Sequence, residues 1–205
     1  LLKQKNIFEV EGTFRPGNLF DYLTRNQVTG VLEARDILVA ILQGMGEIWP
    51  DGSWIDNVAI GDAGYHEVVK RSDITDGIVP FHKLSQWMSY SLIEPLQEAG
   101  FKVNNLDALT GLAEYRNGGL FIDTKAISLK DRTQLEVVHD PKSPLVVEWR
   151  ALTVVLLDKL AEKIRRSTNT DSGSMPLASI LQGGTWSAGR RIAQQLRANG
   201  VPPLQ

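Results

Sequence analysis

The sequence predicts a mainly α protein with a few short strands or extended segments. Apolar residues recur every third or fourth position across residues 81–96 and again across residues 145–164, which is the spacing of one buried helix face. The apolar–polar alternation typical of a strand is confined to short pieces such as residues 7–10. We therefore expect helices to supply most of the core.

The first part of the chain alternates short predicted elements with turns. Turn residues around the extended piece make residues 1–18 a predicted N-terminal arm. Helical spacing begins at Asn18 and recurs over residues 33–42. Residues 48–80 carry several turn signals, among them Pro50-Asp51, and are predicted to form a long loop region. A loop of that length usually has a function or lacks order.

The region over residues 80–205 is predicted to hold the core motifs. Pro80 suits the first turn of a helix that runs to Gly100, and Pro95 should bend this helix. The helix over residues 145–164 is followed by a polar loop and by short helices.

Two glycine pairs interrupt this region, Gly118-Gly119 and Gly183-Gly184. The first pair either turns the chain or lets another group approach the backbone closely. The second pair either offers backbone N–H groups to an anion at a helix start or makes a tight turn between helices.

Composition excludes several classes of protein. The chain of 205 residues has no cysteine, and its 22 basic and 24 acidic side chains give a net charge of −2. Thiolate chemistry and disulfide frameworks are excluded, and no basic excess is present to neutralise a nucleic-acid backbone. The histidines, His66, His82 and His139, lack the spacing of zinc or iron motifs. We expect no metal, no cofactor and no nucleic-acid partner.

The sequence contains no recognisable export signal or membrane helix. Its most apolar run, residues 152–157, stops at Asp158, well short of the roughly 20 residues that span a bilayer. We therefore expect a cytoplasmic protein without a membrane partner. Because the sequence does not begin with methionine, we also expect it to begin inside a longer polypeptide.

Ionisable and aromatic side chains concentrate in three segments with apolar flanks. The first is residues 81–86 and the second, residues 113–119, contains Glu114. Glu114 is either a surface residue before a turn or a carboxylate presented to a pocket. In the third segment, Glu148 and Arg150 are either a buried ion pair that fixes packing or part of a site.

A further polar set, Lys83, Gln86 and Tyr90, shares one helix face by its spacing, and that face is either solvated or functional. With thiols and metals set aside, the side-chain groups that remain available for catalysis are carboxylates, amines and aromatic rings. Such groups suit the stabilisation of a cationic transition state or the activation of water. Hydrolysis of a glycosidic bond has that requirement, because it passes through an oxocarbenium-like ion.

Four motifs carry a family resemblance: V-P-F-H-K-L-S-Q-W, L-D-A-L-T-G-L-A-E-Y-R-N-G-G-L, L-V-V-E-W-R-A-L-T-V and L-Q-G-G-T-W-S-A-G-R-R-I-A. From about residue 14 to residue 203 the chain resembles the protein family of the fungal and bacterial uracil-degradation (URC) pathway, formerly of unknown function. Members of that family are considerably longer and carry this material in their C-terminal half. The resemblance implies that residues 1–205 are the C-terminal part of a single larger helical catalytic domain, with the N-terminal half of the same protein as partner.

A more distant resemblance is to the queuosine salvage proteins, N-glycosidases that release queuine from a nucleoside monophosphate. Their motifs F-Y-K-R-A-Q, D-x-L-T-x-F-A-D-Y-R and V-E-I-R occur in the same order. The acidic residue before Tyr-Arg is catalytic in that family and corresponds to Glu114, which is longer by one methylene than the aspartate it replaces. Because that family is related in fold to helical DNA glycosylases, the resemblance implies a distantly DNA-glycosylase-like fold.

Together the resemblances imply an N-glycoside hydrolase that cleaves ribosylurea or its 5′-phosphate to urea and ribose or ribose phosphate. Glu114 would stabilise the ribosyl cation or align water, and Lys83 and Glu148 are the other implied catalytic residues. The implied substrate-binding residues are Phe81, His82, Gln86, Asp107, Tyr115, Arg116, Asn117, Arg150 and Trp186. If the loop region closes over the site, Asp62 and His66 are secondary candidates. Two alternatives stay open: a non-catalytic ligand-binding or scaffolding subunit of the pathway, and an N-glycosidase that acts on an intact nucleotide.

Overall fold

Helices account for most of the secondary structure. The computed structural model describes residues 2–25, 29–49 and 52–205. Each described strand has four residues or fewer and pairs with a single partner strand. The predicted mainly α class is confirmed.

The described elements follow one another along the chain in this order. The helices are α1 (Lys5–Phe8), α2 (Asn18–Thr24), α3 (Ala34–Met45), α4 (Lys83–Glu98), α5 (Tyr115–Asp123), α6 (Pro144–Thr168), α7 (Leu177–Ile180) and α8 (Ser187–Leu196). Short 3₁₀ turns cover Gly46–Ile48, Leu106–Ala108 and Arg132–Glu136, and a π-helical turn covers Leu181–Trp186. The strands are β1 (Glu9–Val10), β2 (Thr13–Phe14), β3 (Val31–Glu33), β4 (Ser53–Ile55), β5 (Val58–Gly61), β6 (Ala63–Tyr65), β7 (Ile78–Pro80) and β8 (Lys102–Asn104). They pair as β1 with β2, β3 with β8, β4 with β5 and β6 with β7.

The chain divides into two compact units. The first unit comprises Leu1–Ala63 and His82–Leu109, and the second unit comprises Gly64–Phe81 and Thr110–Gln205. Each unit has its own hydrophobic core.

The core of the first unit is built on α3. Apolar residues at helical spacing bury one face of this helix, and Ile37 and Ile41 are fully enclosed. The parallel pair of β3 and β8 contributes Leu32 and Val103, and α4 contributes Leu96. Helix α3 therefore confirms the helix predicted over residues 33–42.

Residues 1–18, predicted as an arm, contribute directly to this core. Helix α1 buries Ile7 and Phe8. The Phe8 ring lies so close to Gly44 of α3 that a side chain at Gly44 would collide with it. The buried Asn18 side chain donates a hydrogen bond to the Phe8 carbonyl at 2.8 Å, which fixes the start of α2 against α1.

The segment over residues 48–80, predicted as a long loop region, contains strands β4 to β7. β4 and β5 form an antiparallel hairpin whose two turn residues, Asp56 and Asn57, have φ angles of 45° and 64°. Positive φ at both central positions gives the turn whose twist matches a hairpin. The predicted turn at Pro50-Asp51 lies outside the described residues.

Helix α4 begins later than the sequence predicts. Pro80 ends β7 instead of starting the helix, and His82 precedes α4 with a left-handed backbone, φ 49°. The Asp62 carboxylate caps the helix by accepting a hydrogen bond from the Lys83 N–H at 3.0 Å. Pro95 lies inside α4, as the sequence predicts.

Helix α6 is the longest element of the second unit, and it confirms the helix predicted over residues 145–164. Pro144 occupies its first turn, where a missing N–H costs no hydrogen bond, and Arg165 and Arg166 lie in its last turn. Val147 and Leu157 are buried on its inner face.

Glycines allow α5 to pack closely on its neighbours. A Cβ on Gly189 of α8 would collide with the carbonyl oxygen of Arg116 on α5, and a Cβ on Gly118 would lie 2.8 Å from the Trp149 ring of α6. The Trp149 indole N–H donates to the Gly118 carbonyl at 3.1 Å. Gly118 therefore serves close approach, one of the two roles predicted for the Gly118-Gly119 pair, and both residues lie inside α5.

The C-terminal tail folds back onto the second unit. Arg197 donates two hydrogen bonds to the Asp123 carboxylate, at 2.8 and 2.6 Å, and the Asp123 side chain is only 4% exposed. Leu204 is buried, and the backbone oxygen of Gln205 accepts a hydrogen bond from the His139 N–H. The tail is thus tied to α5 and to the segment before α6.

Candidate functional site

The carboxylate of Glu114 caps helix α5. Its Oε2 accepts a hydrogen bond from the Arg116 N–H at 2.9 Å, and its Oε1 accepts one from the Asn117 N–H at 2.7 Å. These N–H groups have no partner inside the helix, and the positive end of the helix dipole favours a negative charge there. Glu114 is partly buried, so the cap holds its carboxylate in one position at the start of α5.

A buried hydrogen-bond chain extends from this cap to the π-helical turn. The Thr185 hydroxyl donates to the Asn117 side-chain oxygen at 2.8 Å, and the Asn117 amide donates to the Leu112 carbonyl at 3.2 Å. Asn117 and Thr185 are 1% and 3% exposed, so these bonds are shielded from water. Asn117 is therefore buried behind Glu114, where it positions the start of α5. Thr185 lies in the L-Q-G-G-T-W motif but was not among the residues predicted for the site.

Tyr115 and Arg116 follow Glu114 on α5. The Tyr115 side chain is 47% exposed, and the Arg116 guanidinium lies 4.8 Å from the centre of its ring. Arg116 donates to the Gly200 carbonyl at 2.8 Å, while its buried Nε has no hydrogen-bond partner among the described residues. The tail thus occupies one of the hydrogen-bond donors of Arg116, a residue that the resemblance implies to bind substrate.

Arg150 of α6 lies beside the same segment. Its guanidinium is 4.0 Å from the centre of the Phe81 ring, and its Nε donates to the Ala113 carbonyl at 3.3 Å. Because Ala113 directly precedes Glu114, this contact fixes the chain where it enters the α5 cap. Phe81, Arg150 and Glu114 therefore belong to one region of the second unit.

Glu148 is exposed, so it does not form the buried ion pair with Arg150 that was one of the two alternatives. They are two positions apart on α6, a spacing that sends side chains to different faces of a helix. Glu148 is exposed and lines a cavity of about 260 Å³ together with Trp149 and Leu152 of α6 and Ile122 of α5. Glu114 does not line this cavity.

Several other implied site residues belong to the first unit. Gln86 is 4% exposed, and its backbone N–H donates to the His82 carbonyl at 2.7 Å in the first turn of α4. Lys83 is partly buried at the start of that helix, and Asp107 is exposed in a 3₁₀ turn. Asp62 joins this group through its cap on Lys83.

His82 is held in a constrained environment in the first unit. Besides its positive φ, its buried Nδ1 lacks a hydrogen-bond partner among the described residues. Burial lowers the pKa of His82 below its ordinary value of 6.5, and the Asp62 carboxylate opposes only part of that change. The folded protein therefore favours the neutral imidazole.

We expect acid to destabilise the protein through His82. Below pH 6.5 the unfolded chain takes up a proton that the folded state resists, so the free energy of unfolding falls as the pH drops through this range. The measurement is urea unfolding above and below pH 6.5, for the wild type and for His82→Asn, which tolerates a left-handed backbone. The variant should show a smaller pH dependence, and an unchanged dependence would contradict the role of His82.

Trp186 ends the π-helical turn. Its side chain is 39% exposed, and the Arg190 guanidinium lies 4.0 Å from the centre of its ring. Gly183 and Gly184 lie inside this turn, between α7 and α8. They do not occupy a helix start, so the anion site considered for them lacks its free N–H groups.

Among the residues that the structure describes, no three His, Cys, Asp or Glu side chains converge as a metal site would need. In the same ranges, no helix has both the length and the apolar character of a membrane-spanning segment.

Fold and geometry together define a mainly α protein with an immobilised carboxylate at the start of a buried helix. The chain belongs to the family described as "Protein of unknown function (DUF1688)", whose profile matches residues 1–205. It is 36% identical to Uracil catabolism protein 4 of Lachancea kluyveri over 226 residues, which cover 97% of this chain and 50% of that protein. It is 41% identical to Protein urg3 of Schizosaccharomyces pombe over 161 residues, which cover 77% of this chain and 39% of that protein.

These comparisons confirm the resemblance to the URC pathway family. The chain spans half or less of the length of these curated relatives. No solved structure matches it, so the distantly DNA-glycosylase-like fold stays a prediction.

Proposed function

We propose that this chain is part of an N-glycoside hydrolase of uracil degradation, which cleaves ribosylurea or its 5′-phosphate to urea and ribose or ribose phosphate. The pathway is suggested by the relative named Uracil catabolism protein 4. The observation that carries the reaction is the Glu114 carboxylate, which two backbone N–H groups hold at the start of α5. The same proposal places the reaction in the cytoplasm.

The reaction needs a fixed negative charge beside the sugar. The bond between C1′ and the urea nitrogen breaks, and urea leaves with the bonding electrons and takes up a proton. The oxygen of water then bonds to C1′, which carries positive charge in the transition state, and the proton that this water loses balances the one that urea takes up. A carboxylate that is already held in place stabilises this charge without reorganising during the reaction.

Other residues are proposed to bind and orient the substrate. Arg116 would contact the phosphate, because its side chain carries a positive charge and donates hydrogen bonds. Tyr115 would orient the ribose.

The test is an assay of urea release by the full-length protein. Ribosylurea, its 5′-phosphate and uridine monophosphate are offered to the wild type and to Glu114→Gln. We expect the wild type to release urea from one of the first two compounds and the variant to be much slower. Absence of urea release by the wild type, or a variant as fast as the wild type, would overturn the proposal. Release of uracil from the nucleotide would favour the base-releasing alternative.

A non-catalytic ligand-binding or scaffolding subunit is the second candidate. The observation that favours it is that each carboxylate oxygen of Glu114 already accepts a backbone N–H. A structural cap would account for the residue without any chemistry. In that case the wild type would release no urea from either ribosyl compound.

A further inference from the structure

The cavity beside Glu148 has the dimensions of a small-ligand site. It is a partly open cavity of about 260 Å³ between α5, α6 and the C-terminal tail, and its lining is mainly apolar, including Trp149, Leu152 and Leu204. An apolar cavity of about 150 Å³ holds one benzene ring, whereas drug-sized ligands occupy about 300–1,000 Å³. The volume therefore suits a single ring with small substituents.

The polar part of the lining offers a hydrogen-bond acceptor. Glu148 makes no hydrogen bond or ion pair with any residue that the structure describes, and a carboxylate only accepts. The Asp131 carboxylate, which also lines the cavity, already accepts bonds from Thr133 and Gln134. Glu148 is thus the carboxylate with acceptor capacity to offer a ligand.

The indole of Trp149 contributes apolar surface rather than a donor. Its N–H is engaged by the Gly118 carbonyl at 3.1 Å, so a ligand meets the remainder of the ring. Lys130 is exposed and lines the cavity too, but its charge would favour an anionic group outside the apolar part. A ligand that fills the apolar part needs a flat apolar face and an N–H group for Glu148.

We propose that this cavity binds a neutral six-membered heterocycle, with its ring between apolar side chains and one ring N–H donating to Glu148. The choice of a pyrimidine as that ring rests on the proposed function in uracil degradation. The cavity is separate from Glu114, which does not line it. Glu148 is then a ligand-binding residue of this cavity, and binding there does not depend on hydrolysis.

The experiment is a calorimetric titration of the full-length protein with uracil. The comparison ligand is dimethyluracil in which both ring nitrogens carry methyl groups, so that the ring is kept and the N–H donors are lost. Because hydrogen bonds to a charged group contribute about 1.5–3 kcal/mol, we expect dimethyluracil to bind about tenfold to a hundredfold more weakly. Benzylamine is the third ligand, a ring with a cationic group instead of a lactam.

Two substitutions test separately the hydrogen-bond acceptor, Glu148, and the free volume of the cavity. Glu148→Ala, at an exposed helix position, should weaken uracil binding to the level of dimethyluracil. Glu162→Ala is the matched control, because Glu162 is exposed on the same helix and outside the cavity, and it should leave binding unchanged. Leu129→Trp should fill the cavity and abolish binding of both pyrimidines.

Equal affinity for uracil and dimethyluracil, or uracil binding unaffected by Glu148→Ala, would overturn the inference. So would tighter binding of benzylamine than of uracil. The same measurements test the proposed function independently. If uracil binding depends on Glu148 but ribosylurea and its phosphate yield no urea, the ligand assignment of the cavity is supported and the hydrolase proposal is overturned. Urea release that depends on Glu114, without uracil binding, would support the hydrolase and overturn the cavity assignment.

Discussion

Glu114→Asn should release urea more slowly than Glu114→Asp, by about a hundredfold or more. Asparagine and aspartate cap helices about equally well, so either should still accept from the N–H groups that Glu114 binds. They have almost the same size and differ in charge, and charge is what an oxocarbenium-like transition state requires. The comparison of Glu114→Asp with Glu114→Asn therefore separates the chemistry of the carboxylate from its structural role.

The measurement is kcat for urea release from ribosylurea or its 5′-phosphate, together with the midpoint of thermal unfolding for each variant. We expect similar midpoints and very different rates. Glu114→Asp should keep part of the activity, because aspartate stands at this position in the queuosine salvage proteins that the motifs resemble. Equal rates in the two variants would mean that Glu114 acts only as a cap.

The second large effect concerns stability. Arg197→Ala should lower the free energy of unfolding by about 3 kcal/mol, because it leaves the buried Asp123 carboxylate without its charged partner. The lower part of the range for buried pairs applies, since the Arg197 side chain is 25% exposed. Urea unfolding of wild type and variant measures the loss.

The matched control is Arg166→Ala. Arg166 pairs with Glu162 at 3.4 Å, but the two side chains are 82% and 64% exposed, and such pairs contribute about 0.3–0.5 kcal/mol. Arg197→Lys should fall between the two, because lysine keeps the charge and loses the two-point contact with Asp123. A loss for Arg197→Ala no greater than for Arg166→Ala would show that the tail is not held by this pair.

The long helices could be predicted because their apolar spacing is a property of the sequence itself. Helix α6 and its stripe over residues 145–164 are the clearest case. The start of α4 was predicted too early, since a proline before an apolar stripe is typical both of a first helical turn and of a strand end. Here the Asp62 cap and the left-handed His82 select the second.

The hairpin of β4 and β5 gave a weak signal for a different reason. Its strands are too short to show alternation, and its turn is Asp56-Asn57 rather than the common Asn-Gly or Asp-Gly pair. Asp and Asn tolerate positive φ, but they are also common in irregular loops, so Asp56-Asn57 did not identify a hairpin turn.

The candidate site could be predicted only in part. Glu114 could be singled out because a carboxylate precedes a glycine pair in an apolar segment, yet its role as the α5 cap depends on backbone geometry. A buried pair of Glu148 with Arg150 was one of two alternatives, but Glu148 is exposed, because side chains two apart on a helix diverge. Thr185 gave no signal, since its bond to Asn117 joins residues far apart in the chain.

Helix α5 has a carboxylate anchored at each end. Glu114 binds the first N–H groups, and Asp123, at the last of the nine helical residues, binds Arg197 of the tail. With a rise of about 1.5 Å per residue, the helix is a strut roughly 13 Å long. Because the helix moves as one rigid element, releasing Asp123 from Arg197 should also displace the Glu114 carboxylate at the other end. Substitutions at Arg197 and at Glu114 should therefore impair the same function.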